Sequence, residues 1–91
     1  MHYVYVLRGI KSNSWYTGCT EDLRKRFKEH NEGRSTYSKR DTYGLIYYEA
    51  CVNMKDAFTR EKYLKTGMGK RYLKNRLKRF LALTGLTKNF D

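Results

Sequence analysis

The chain reads as an α+β domain, and three observations predict it. Residues 2–8 (His2 to Arg8) and 13–19 are rich in Tyr, Val, Trp and Thr, the residue types that suit a pleated, half-buried strand. Further along, apolar side chains recur at helical spacing in three stretches. No internal repeat, low-complexity tract or linker divides the sequence, so one domain over residues 1–83 with a frayed tail over 84–91 is the expected organisation.

The two strands at the start predict a hairpin with its turn from Gly9 to Ser12. A symmetric fold-back about that turn sets Tyr5 directly across from Tyr16, with Cβ atoms roughly 4.5–5.5 Å apart. Side-chain alternation puts Tyr3, Tyr5 and Leu7 on one face and Val4 and Val6 on the other, so two phenols share a patch. A helix then starts at Thr20, a good N-cap, with Glu21 and Asp22 in the first turn where the helix dipole favours negative charge. Leu23 and Phe27 mark its buried stripe. Arg26 and His30 lie on an adjoining face that looks toward the hairpin, and Asn31 to Gly33 ends the helix.

Residues 34–43 (Arg34 to Tyr43) are polar and basic and read as an exposed loop, after which residues 44–52 (Gly44 to Val52) resume strand character. Asn53 is the expected cap of a second helix with Ala57, Phe58, Glu61 and Leu64 on one side. Glu61 is the anomaly on that apolar stripe. Gly67 and Gly69 interrupt the pattern, and Tyr72, Leu73, Leu77, Phe80 and Leu81 describe a third amphipathic helix whose other side carries Lys70, Arg71, Lys74, Lys78 and Arg79.

With 91 residues the domain can bury one small core but not a deep substrate cavity, so its chemistry is expected on an open surface. Twenty Lys and Arg against nine Asp and Glu leave a formal net charge of +11, a field that draws in polyanions. Nucleic acid is the default partner, with binding that weakens as salt rises. A membrane fits less well, because no hydrophobic run is long enough to span one. Cys19 and Cys51 have no metal-ligand spacing, and the N-terminus does not resemble a signal peptide; a reduced, cytoplasmic setting without zinc is expected.

Tyr3-Val4-Tyr5, Tyr16-Thr17-Gly18, the run from Leu23 to His30 with Arg26 and His30, and Arg60-Glu61 together resemble the GIY-YIG nuclease family. The closing stretch from Arg60 through Leu73 resembles the small standalone bacterial members. Two positions depart from the pattern: Tyr3 stands where the first motif has Gly, and Thr17 where the second has Ile or Val, while both tyrosines are kept. The resemblance implies a three-stranded antiparallel sheet flanked by helices and divalent-metal-dependent cleavage of DNA.

Each residue type suits that chemistry. A carboxylate among apolar neighbours is costly unless paired or metal-bound, which makes Glu61 the expected ligand of one Mg²⁺ or Mn²⁺. Arg26 offers a planar fork of donors for the charge that builds on the phosphoryl oxygens, and His30 suits a proton relay. Either tyrosine can serve as general base if its proton is passed onward or its pKa lowered; Tyr5 is the assigned base, with Tyr16 positioning water or phosphate. Ser35, Thr36, Lys39 and Arg40 in the loop, and Lys70, Arg71 and Lys74 on the last helix, are expected phosphate contacts. Asn75 is a candidate support of the site. RNA stays open beside DNA as substrate, and a protein partner could supply specificity. The competing reading is a basic nucleic-acid-binding module on the same scaffold that cleaves nothing. Ordinary competitors exist for each side chain: a packed strand tyrosine, a solvated Arg26, a His30 at the helix C-terminal dipole, and a surface ion pair for Glu61.

Overall fold

A computed structural model describes residues 1–32 and 42–84. The chain forms β1 (His2–Gly9), β2 (Trp15–Thr20), α1 (Leu23–Asn31), β3 (Tyr43–Cys51), α2 (Met54–Lys65), α3 (Gly67–Arg76) and α4 (Lys78–Thr84). The sheet is antiparallel in the order β2-β1-β3, so the first strand is central. Its burial follows from that place: Val4, Val6 and Leu7 are fully buried. A three-stranded antiparallel sheet with helices is the expected α+β class. The chain divides into two compact units, residues 1–61 and 62–91.

Within the first unit, the hairpin closes one residue later than a symmetric turn over Gly9 to Ser12 predicts. Gly9 N–H donates to the Ser14 carbonyl at 2.9 Å, Asn13 N–H donates to the Gly9 carbonyl at 2.9 Å, and Asn13 adopts φ 60°. Asn tolerates that left-handed conformation because its short polar side chain can bond locally, so Asn13 ends the loop. Later closure moves the pairing by two residues: Tyr5 faces Gly18, and Tyr16 faces Leu7. The expected Tyr5–Tyr16 opposition is therefore corrected. A shift of two keeps every side chain on its face, and the two phenols still share one side of the sheet.

The start of α1 is also corrected. Thr20 is the last residue of β2, and its hydroxyl accepts from Asp22 N–H at 3.1 Å. Asp22 is the N-cap, its carboxylate accepting from Lys25 N–H at 3.1 Å, and no acidic residue occupies the first turn. Leu23 and Phe27 pack against the core cluster of Tyr5, Leu7 and Tyr43, which fixes α1 on the tyrosine face. At its far end Asn31 donates to the Tyr43 carbonyl at 3.0 Å and accepts from Tyr43 N–H at 2.8 Å. That pair of bonds ties the end of α1 to the start of β3. Asn31→Ala should lower stability by about 1–3 kcal/mol, since two part-buried backbone groups lose their partner; denaturant unfolding measures it.

A register shift between Val6 and Leu7 marks an irregularity in the β1–β3 pairing. Asn53 caps α2 as expected, accepting from Lys55 N–H at 2.8 Å. Ala57 is buried, whereas Phe58 is exposed and leaves the expected apolar stripe.

In the second unit, Gly67 and Gly69 lie inside α3 rather than ahead of it. Thr66 is the N-cap, its hydroxyl accepting from Gly69 N–H at 3.1 Å. A Cβ at position 69 would meet the Tyr63 carbonyl and the Leu64 backbone, neither of which can swing aside. The glycine thus permits the close return of α3 onto the end of α2. Gly69→Ala should cost about 1–3 kcal/mol through that overpacking, read as a lowered thermal midpoint. The helix expected to run on through Leu81 instead ends at Arg76 with Leu77 as its C-cap, and α4 follows. Leu73 and Leu81 are buried in this unit.

Candidate functional site

The hairpin and α1 bring four of the candidate residues together. Tyr5 is 3 % exposed, and its ring runs across β2 so that a Cβ at Gly18 would collide with its hydroxyl. Gly18 is therefore required by the tyrosine it faces. Sequence reasoning gave Gly18 no role, although a glycine inside a strand is a signal of close approach. Gly18→Ala should displace the Tyr5 ring, with loss of the Tyr5 environment visible in the near-ultraviolet spectrum and lowered stability of about 1–3 kcal/mol.

His30 stands between the aromatic rings. Its centroid lies 6.3 Å from Tyr5, 5.8 Å from Tyr16 and 5.9 Å from Tyr43, each in an edge-on arrangement. Tyr43 also meets Tyr16 at 5.9 Å, so it closes the ring of aromatics, a part that its sequence context did not single out. Tyr16 is 39 % exposed, which makes it the phenol that solvent reaches. The contrast with Tyr5 arises because β2 is an edge strand and β1 is central.

Arg26 projects from α1, its side chain half exposed, with Nε 3.7 Å from a Glu29 carboxylate oxygen. Its positive charge also acts on the Tyr5 hydroxyl, favouring the ionised phenol. Burial raises the Tyr5 pKa above its ordinary 10.0 and outweighs the lowering by Arg26, while the Glu61 charge pushes it further up. Tyr5 is thus a neutral phenol at neutral pH. Glu61 likewise raises the Cys19 thiol, after burial as the main cause. Through these two effects Glu61 is placed within electrostatic reach of the tyrosine cluster.

Burial and the Arg26 charge lower His30 from 6.5, leaving the imidazole neutral near pH 7 and able to accept a proton. The stability consequence has a definite sign. A depressed folded pKa means that the unfolded chain takes up the proton first, so stability held above pH 6.5 is lost as pH falls through the folded value. His30→Gln should flatten this acid limb in a pH series of urea unfolding.

Glu61 is half-buried on α2, and among the described residues no three His, Cys, Asp or Glu side chains converge as a metal cage. A single carboxylate is a hard oxygen donor, of the kind a hydrated divalent ion combines with water and phosphate oxygen. Lys70 and Arg71 are exposed on α3 and Lys74 is half-buried beside them. Asn75 is exposed on the same helix, where it lines a shallow hollow with Met68, Arg71 and Tyr72. Ser35, Thr36, Lys39 and Arg40 lie outside the described residues. Cys19 and Cys51 are free thiols.

A small antiparallel sheet carrying two tyrosines, with an arginine and a histidine delivered by the helix packed on it, is the arrangement of a nuclease-type domain. A family model of the GIY-YIG catalytic domain matches residues 1–78, and the chain belongs to that family. Its relatives include the UPF0213 protein CPE1444 of Clostridium perfringens, 43% identical over 67 residues, which are 71% of each chain. The UPF0213 protein YazA of Bacillus subtilis is 42% identical over 66 residues, covering 70% of this chain and 66% of the relative. The UPF0213 protein SSP2268 of Staphylococcus saprophyticus is 36% identical over 75 residues, covering 80% and 90%. These names state no activity. No solved structure matches the chain.

Membership of the family implies a nucleic-acid substrate and a nuclease-type function, and GIY-YIG nucleases generally use divalent metals. Among the described residues no helix is long and apolar enough to cross a membrane.

Proposed function

We propose that the protein is a divalent-metal-dependent endonuclease that hydrolyses DNA phosphodiester bonds. The observation that carries this reading is the gathering of Tyr5, Tyr16 and Arg26 around a neutral His30, with the Glu61 charge felt at Tyr5. The surplus of cationic side chains supports it, since it draws in the polyanionic substrate.

In this reading Glu61 is the protein ligand of one Mg²⁺ or Mn²⁺. When bound, that ion supplies Lewis-acid polarisation of the phosphate and offsets charge on the departing 3′ oxygen. Arg26 holds a phosphoryl oxygen through its planar donors, beside the Tyr5 hydroxyl on which its charge acts. Tyr5 is neutral, so it takes a proton from the attacking water only while its own passes onward, and His30 is the neutral base beside it. Tyr16, open to solvent, positions the water or the phosphate.

Lys70, Arg71 and Lys74 contact phosphates along the strand, as do Ser35, Thr36, Lys39 and Arg40, and Asn75 supports the site. Residues 1–83 act as one catalytic domain, a reading favoured by a family match that runs across both compact units. Free Cys19 and Cys51 suit the reducing cytoplasm, where the enzyme works in DNA repair or recombination with a protein partner supplying specificity.

The test is incubation with supercoiled, nicked, branched and single-stranded DNA in Mg²⁺ or Mn²⁺, beside Arg26→Ala and Glu61→Ala. Metal-dependent cleavage by the wild type alone is expected. Equal cleavage by all three proteins would mark contamination, and retention of DNA by a wild type that cuts nothing would favour the non-catalytic binding module. Arg26→Lys should keep the charge yet lose about tenfold or more in rate, because an ammonium cannot offer the guanidinium fork.

A further inference from the structure

Glu49 sits toward the C-terminal end of β3, across from Val4 on the sheet face opposite to Tyr5. Its carboxylate accepts from the Tyr47 hydroxyl at 2.9 Å on one oxygen and from Arg60 Nε at 2.5 Å on the other. The Arg60 and Glu49 side chains are only 30% and 26% exposed, so this ion pair is better shielded than the Lys28–Glu32 pair at the end of α1. The next residue on α2 is Glu61. On a helix of 3.6 residues per turn, adjacent side chains point about 100° apart, and positions three and four beyond buried Ala57 fall on either side of its line.

The sheet register completes the geometry. Val4 has Glu49 on one side and Cys19 on the other. Arg60 is held on the Glu49 side, while the Glu61 charge acts at Cys19 and at Tyr5. A helix that seats Ala57 and grips Glu49 through Arg60 therefore has its rotation about its own axis set, with Glu61 about 100° around from Arg60.

We propose that the Glu49 carboxylate, clamped by Tyr47 and Arg60, is a positioning device that sets the roll of α2 and thereby holds Glu61 at the tyrosine cluster. The functional weight of this inference rests on the reading of Glu61 as metal ligand, but the positioning itself does not. Partners hydrogen-bonded to a metal ligand commonly change metal affinity by about 10–100-fold when altered, and Glu49 acts one residue further out, through Arg60, so the lower end of that range applies.

The experiment uses the full chain and Glu49→Gln, Tyr47→Phe, the double exchange Glu49→Arg with Arg60→Glu, and Glu61→Gln as reference. Two measurements are made on each: Tyr5 ring resonances by NMR without metal, and Mn²⁺ affinity by electron paramagnetic resonance. Glu49→Gln should move the Tyr5 resonances in the direction that Glu61→Gln moves them and weaken Mn²⁺ binding about tenfold, with Tyr47→Phe smaller in both. The double exchange should restore both. A folded Glu49→Gln protein whose Tyr5 signals stay at their wild-type positions overturns the positioning role. Wild type that binds no Mn²⁺ overturns the metal-ligand reading instead, and the Tyr5 signals still decide the clamp.

Discussion

With Glu61 as the proposed metal ligand, Glu61→Ala should remove metal-dependent cleavage, by about three orders of magnitude or more, while DNA affinity measured without metal should stay within about twofold of wild type. The size follows from the role: losing a Lewis acid that offsets several kcal/mol of transition-state charge converts at about tenfold per 1.4 kcal/mol. Preserved affinity follows from charge. Removing one carboxylate from a chain with a net charge of +11 does not weaken its attraction for phosphates. Thermal unfolding separates this outcome from collapse of the fold, because Glu61 is half-buried and no part of the fully buried core. Single-turnover cleavage across a Mn²⁺ series is the measurement. A variant that cleaves at the wild-type rate in saturating Mn²⁺ would remove Glu61 from the chemistry.

Under the proposed role, Tyr5→Phe should lower the cleavage rate by about 10²–10⁴-fold, the range that a positioned acid–base group supplies, and should leave the fold in place. Only the hydroxyl is lost; the ring that packs with Leu7 and Tyr43 remains. Stability near neutral pH should change by about 1 kcal/mol or less, because the phenol is neutral in both the folded and the unfolded chain and the packed ring is kept. Tyr16→Phe is expected to cost less in rate and to raise KM more, because an exposed hydroxyl that positions water or phosphate acts partly in ground-state binding. The pair of variants assayed side by side over pH assigns the base. If Tyr16→Phe abolishes turnover and Tyr5→Phe does not, the roles are exchanged; retained turnover in both rules out a phenolic base.

Much of the first unit was legible because local signals and tertiary demands agree there. Tyr and Val alternation specifies β1, Asn53 caps α2, and the Leu23–Phe27 stripe puts α1 on the tyrosine face. The errors share a cause. Thr20 and Asp22 are both good capping residues two positions apart, and which one caps depends on where β2 stops, a matter of pairing with β1. Hairpin register likewise turned on Asn13, whose left-handed backbone closes the loop on Ser14. Gly69 looked like a helix breaker when read alone; beside the Tyr63 carbonyl it is the residue that lets two helices meet.

The candidate site shows the same division. The choice of residue types came from the sequence: two tyrosines on one face of a hairpin, a guanidinium and an imidazole four residues apart, and a carboxylate on an apolar stripe. Alternation and helical spacing are properties of the backbone, so they can be read without knowing what packs against what. Exposure, protonation and partnership cannot. That Tyr5 is buried and Tyr16 open, that burial outweighs Arg26 in setting the Tyr5 proton, and that Glu49 reaches Arg60 across eleven intervening steps of chain all depend on which strand is central and what covers it. Those are consequences of desolvation and non-local contact, which the order of residues alone does not contain.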